Sequence, residues 1–161
     1  MEHGEDLRFD QGDQTPERLR HQLSRLVGMT ATQTHRVAAE ALRAVGAHKD
    51  HFVVLAALAE LGPASQSGLS DRTRVYRSDL VSVLNDLVEG GWVLRTPDPG
   101  DKRRNVVSIT AEGERRLDEL DRVLDEVNER IMAPLDAQER ELLFTLLGRV
   151  NAHLAGAPNP A

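Results

Sequence analysis

The residues best able to do chemistry in this sequence are cations grouped in two short stretches. The first is Arg72, Arg74 and Arg77, followed on the same side of the next helix by Ser78, Ser82 and Asn85. The second is Pro97-Asp98-Pro99-Gly100-Asp101-Lys102-Arg103-Arg104-Asn105, a turn-rich loop that ends in three consecutive cations. A guanidinium forks onto the acceptor edge of guanine or onto a phosphate. A serine hydroxyl bonds several base edges, and an asparagine amide pairs with adenine. A cationic loop beside such a helix reaches the minor groove, where the negative potential draws arginine. Asp101 stands two residues before Arg103, close enough to orient its guanidinium. Reaction chemistry has no comparable anchor. The chain lacks G-x-S-x-G, a P-loop, G-x-G-x-x-G and H-E-x-x-H, so it does not read as an enzyme.

Several elements must position these groups. Thr15-Pro16-Glu17 suits a helix start, and Leu19, Leu23, Leu26, Thr30, Val37, Ala41 and Val45 continue one apolar stripe, ended by Gly46. A second helix spans Lys49 to Leu61, with Phe52, Leu55, Ala56, Leu58 and Ala59 inward, and stops at Gly62-Pro63. A short third helix runs from Ser65 to Arg72. A fourth runs from Tyr76-Arg77 to Gly90-Gly91, with Leu80, Val83, Leu84 and Leu87 on its core face. Its opposite face then carries Arg77, Ser78, Val81, Ser82 and Asn85. Asp79 and Asp86 oppose phosphate approach unless they accept from a cytosine amino group or pair with Arg74 or Arg77. Two strands follow, Trp92 to Thr96 and Val106 to Ile109, with the cationic loop as their tip. Thr110 caps a fifth helix, in which Leu117, Leu120, Leu124, Val127 and Ile131 form a coiled-coil-like seam. Asp136 and Glu139 form a capping box for the last helix, which reaches Gly156.

The expected fold class is mainly α: a winged helix-turn-helix with a small β-hairpin wing, plus N- and C-terminal dimerisation helices. Residues 47–110 form the lobe, 15–46 and 111–155 the dimerisation helices. Residues 1–14 and 156–161 read as disordered arms. The formal net charge of −6 is unevenly spread. From Arg72 to Arg116 nine Lys/Arg stand against seven Asp/Glu, so the middle is basic and the ends are acidic. There is no cysteine, which excludes disulfides and thiolate sites. No secretory signal or membrane span is visible, so a cytoplasmic location is expected. His48 and His51 stand three apart, a spacing that can face one metal, but no carboxylate has clear ligand spacing and no metal is expected. A small weak-acid or phenolic inducer would want a cation beside apolar walls. Arg25, Met29, His35, His51 and Phe52 are the candidates. No other cofactor is expected.

The stretch Asp101-Lys102-Arg103-Arg104-Asn105-Val106-Val107-Ser108-Ile109-Thr110-Ala111-Glu112-Gly113 resembles the D-x-R…V-x-L-T-x-x-G signature of the MarR family (multiple antibiotic resistance regulators). Leu84 to Val93 is similar to that family's recognition-helix end and first wing strand. The resemblance covers Thr15 to Ala155. It implies a homodimer intertwined through its terminal helices and bound to a pseudo-palindromic site on double-stranded DNA, usually as a ligand-released repressor. It makes Arg103 the minor-groove arginine and Asp101 its holder. The chain departs from some members: its one tryptophan is Trp92, not an N-terminal one near a urate or phenol ligand, and the oxidant-sensing cysteine is missing. Two other readings stay open: a winged protein–protein module, and a metal- or metabolite-binding protein without operator specificity.

Overall fold

Each apolar run in this chain is cut off by a specific local device, and the devices set the architecture. The computed structural model describes residues 15–156, so the expectations for 1–14 and 157–161 lie outside the described residues. The elements are α1 (Glu17–Arg20), α2 (Leu23–Ala44), α3 (Lys49–Leu61), β1 (Ala64–Ser65), α4 (Gln66–Thr73), α5 (Arg77–Glu89), β2 (Val93–Pro97), β3 (Asn105–Ile109), α6 (Ala111–Ile131) and α7 (Ala137–Gly156). Among the described residues, those up to Leu124 form one compact unit and those from Asp125 form a second.

In the first unit, α3 opens on a reciprocal cap. Nδ1 of His48 accepts the amide of Asp50, and Nδ1 of His51 accepts the amide of His48, both at 3.3 Å. Gly62, at φ +79°, closes the helix in a conformation that costs other residues dearly. Ser65 caps α4 by accepting the amide of Gly68 at 3.1 Å. Between α4 and α5 the turn passes through Arg74 in the left-handed region at φ 57°. It is held there by the Ser70 hydroxyl, which donates to the Val75 carbonyl at 2.8 Å. The α5 face made of Leu80, Val83, Leu84 and Leu87 is buried. At roughly 1.5–3 kcal/mol per buried side chain, this fixes the roll of the helix about its axis. The other core members include Leu42, Val54, Leu55, Leu58, Leu69, Val93, Val107 and Leu120. The sheet has the order β1-β3-β2 and is antiparallel, with Ala64 and Arg95 both opposite Val107.

Thr110 ties α6 to the hairpin. Its amide donates to Trp92 O at 3.0 Å, its hydroxyl donates to Gly91 O at 2.7 Å, and it accepts the amide of Gly113 at 3.0 Å. Gly113 is obligatory here. A Cβ would overlap the Trp92 carbonyl oxygen and lie 2.7 Å from Ile109 Cγ1. In the second unit, Asp136 and Glu139 cap α7 reciprocally at 2.9 Å each way, as the spacing predicts.

Four local expectations are corrected. The first helix is not continuous. It breaks at His21, and Gln22 is extended (φ −87°, ψ 106°), although neither Gly nor Pro marks the break. Pro16, not Thr15, takes the N-cap position. In α3, His51 and Val54 are buried with Leu55 and Leu58, while Ala59 is exposed. The sheet gains a third strand, β1, too short to show any period in the sequence.

Candidate nucleic-acid interface

With its apolar face sealed, α5 presents Arg77, Ser78, Val81, Ser82 and Asn85 to solvent, all exposed. Ser78 Oγ donates to Asp79 Oδ1 at 3.3 Å, whereas Ser82 has no side-chain partner among the described residues. Asn85 Oδ1 accepts from Arg95 Nη1 at 2.8 Å, which ties the recognition-helix candidate to the root of the hairpin. Arg74 and Arg77 are exposed at the turn and the first position of α5. Arg72 faces elsewhere. It donates to Leu61 O and, at 3.1 Å, to Gly62 O, closing the free carbonyls at the end of α3.

The hairpin tip is shaped by Asp98 and Asp101. Asp98 accepts the amide of Gly100 at 2.7 Å, and Asp101 Oδ1 accepts the amide of Arg103 at 3.0 Å. The same Asp101 carboxylate lies 3.6 Å from Arg103 Nε and 3.7 Å from Arg104 Nε. So Asp101 shapes the loop and faces two guanidiniums. The Arg103 side chain remains 94% exposed, which leaves its far end available. Lys102 is exposed beside it.

Neither Asp79 nor Asp86 pairs with Arg74 or Arg77 among the described residues. Asp86 instead accepts from His51 Nε2 at 3.1 Å, joining α3 to α5. Burial holds the His51 imidazole below its ordinary value of 6.5, against the opposing pull of Asp86. His48, His51 and Asp86 bring one ligand-capable atom each within 4.8 Å of one another. Sequence spacing gave no sign of this, because Asp86 is 35 residues from His51. Both Nδ1 atoms accept backbone amides, which places the ring protons on Nε2 and turns that of His51 toward Asp86. A cation would have to displace this pattern.

Of the inducer candidates, Arg25 and Met29 share a face of α2 one turn apart and are half-buried, while His35 is exposed. Phe52 packs against the core and His51 is engaged as above. A cation missed in the sequence holds the base of the hairpin. Arg116 donates to Val45 O and, at 2.6 Å, to Glu119, with its guanidinium carbon 4.9 Å from the Trp92 ring centroid. Its place on the seam-bearing helix gave no hint of this.

A short helix pair crossed by a buried apolar face, followed by a cation-tipped hairpin, defines a winged helix-turn-helix. The chain belongs to the MarR family: the family's sequence model matches residues 46–104. It is 31% identical over 102 residues to the transcriptional regulator HosA of Escherichia coli, covering 63% of this chain and 76% of HosA. It is 33% identical over 99 residues to the HTH-type transcriptional repressor NicR of Pseudomonas putida. That match covers 62% of this chain and 63% of NicR, so it spans just under two thirds of the relative's length. Among solved structures, wild-type apo MarR from E. coli is similar at a TM-score of 0.71 and 27% identity, over 80% of this chain and 96% of that one. A MarR mutant solved with operator DNA is similar at a TM-score of 0.67, also at 27% identity, over 80% and 92% of the two chains.

Proposed function

We propose that this protein is a sequence-specific DNA-binding transcriptional regulator that acts as a homodimer on an inverted repeat, as a repressor released by a small weak acid or phenol. The observation that carries the reading is the exposed ridge of α5. Four core residues fix the helix, and Arg77, Ser82 and a methyl-matching Val81 are exposed on the far side beside Ser78 and Asn85. The Arg103 tip supplies the minor-groove element. The structural similarity to a family member solved on operator DNA supports the same assignment.

Two uncovered apolar faces support the dimer. On α1 and α2, Leu19, Leu23, Leu26 and Val27 are exposed. On α7, Leu142, Leu143, Phe144, Leu146, Leu147, Val150 and Leu154 are exposed, and no residue of that helix is buried. A protomer alone would show water more apolar surface than soluble monomers tolerate, and a second copy supplies the same faces by symmetry. Among the described residues no helix is long and apolar enough to cross a membrane.

The test is selection of bound duplexes from a random pool at near-physiological salt, beside sedimentation of the free protein. An enriched inverted repeat and a dimer are expected. A folded protein that enriches nothing, or a stable monomer at micromolar concentration, would overturn the reading.

A further inference from the structure

The inner face of the wing carries a charge where the strand pattern calls for an apolar side chain. Val93 and Arg95 are two apart on β2 and point to the same side, and their partners on β3 are Ile109 and Val107. Val93 and Val107 are buried in the core, and Arg95 is the next inward position toward the tip. Arg95 as a whole residue is half-buried, while its guanidinium bonds Asn85 at the exposed surface. Among the described residues no carboxylate lies within 4.0 Å of it, and its one hydrogen-bond partner is the neutral Oδ1 of Asn85. A guanidinium with no counter-ion keeps charge-assisted donors free for an arriving anion.

The space in front of Arg95 is built for one. A cleft of about 340 Å³ is lined by Ser65, Ser67, Arg95, Arg103, Arg104 and Asn105, with Gln66 and Val107 completing it. No acidic residue lines it. The Ser65 and Ser67 hydroxyls lie 3.1 Å apart where β1 leads into α4. Of the three arginines, Arg103 and Arg104 face Asp101, while Arg95 faces no acid. The cleft lies between the first turn of α4 and the wing, on the lobe that carries the α5 ridge.

We propose that this cleft seats one phosphodiester of the bound duplex, with Arg95 as its fixed cationic ligand and the Ser65 and Ser67 hydroxyls as neutral donors. The inference rests on the DNA-binding reading and adds to it a register-setting contact. Because Arg95 also holds Asn85, seating the phosphate fixes the wing and the recognition helix to one backbone position. Contacts of this kind position a protein on DNA without reading its sequence.

The test is a scan of single methylphosphonate substitutions, which remove one phosphate charge at a time, across the duplex enriched by the wild-type protein. Wild-type protein, Arg95→Gln and Arg103→Gln are compared, with circular dichroism and thermal melts confirming that each variant is folded. One position per half-site is expected at which the neutral linkage weakens wild type and Arg103→Gln by on the order of tenfold, yet leaves Arg95→Gln unchanged. Arg95→Gln should select the same sequence with a salt slope flatter by about 0.9 per protomer, and Arg95→Lys should restore much of that slope. Overturning results are the same phosphate profile in Arg95→Gln as in wild type, or a changed base preference at an unchanged slope. So is stabilisation of the DNA-free protein by millimolar inorganic phosphate, lost in Arg95→Gln, with no phosphate-specific effect in the duplex. A wild-type protein that enriches no duplex fails at the earlier step and removes the regulator reading itself.

Discussion

Replacing Gly113 by alanine should damage both the stability of the protein and its grip on DNA, although alanine is the better helix former. The new Cβ would overlap the Trp92 carbonyl oxygen and lie 2.7 Å from Ile109 Cγ1 and 3.0 Å from the Trp92 carbonyl carbon. Two of those three atoms are backbone, so no rotamer change relieves the contact. The first turn of α6 must move away from the start of β2. Overpacking of this kind costs about 1–3 kcal/mol, and the movement strains the Thr110 amide bond to Trp92 O, worth about 1 kcal/mol more. Alanine's helix preference returns at most about 1 kcal/mol. The net loss is about 1–3 kcal/mol, which for a chain of this size lowers the melting temperature by about 2–12 °C. Gly28→Ala is the control, because a Cβ there meets nothing within 4 Å. That change should raise stability by about 0.5–1 kcal/mol. Thermal melts of both variants, beside duplex-binding titrations, check the argument. DNA affinity should fall in Gly113→Ala, because the displaced junction is the root of the wing. A Gly113→Ala protein as stable as wild type, with unchanged DNA affinity, would refute the account of the T-x-x-G spacing.

Arg103→Ala should flatten the dependence of log K on log salt by about 0.9 per protomer, measured by titrating duplex between low and near-physiological salt; an unchanged slope removes the wing from the interface. Arg74→Gly should raise the melting temperature, because glycine occupies the left-handed turn without the roughly 1–2 kcal/mol strain carried by arginine at φ 57°, while DNA affinity falls with the lost cation. Equal DNA affinity would make Arg74 a turn residue only. His51 is kept neutral by burial, so the unfolded chain binds its proton more readily than the native one. Stability is therefore held above pH 6.5 and lost as pH falls from there toward the lowered native value. His51→Gln should show a smaller loss of melting temperature between pH 7.5 and 5.5 than wild type, and parallel losses would contradict the assignment.

Local physics alone sets the order of the helices and of the two five-residue strands from Lys49 onward. The period of Leu80, Val83, Leu84 and Leu87 fixes one face of α5. Gly62 and Gly91 mark stops through positive φ, and the Asp136–Glu139 spacing closes a cap within one turn. The same periodicity named the exposed ridge of α5 without any tertiary information, and the D-x-R run named the wing. The features that the sequence leaves open involve partners distant along the chain or segments shorter than one period. Strand β1 exists because Ala64 and Ser65 find Val107 and Val106 across the sheet, and two residues have no period of their own. Arg72 donates to the last carbonyls of α3, because the fold brings α4 against the end of that helix. Asp86 turns to His51 rather than to an arginine, since packing α3 on α5 places a buried imidazole nearer than any guanidinium. Arg95 looked like one cation among many, and it becomes a candidate ligand only because pairing with Val107 turns it inward to a cleft that no carboxylate lines.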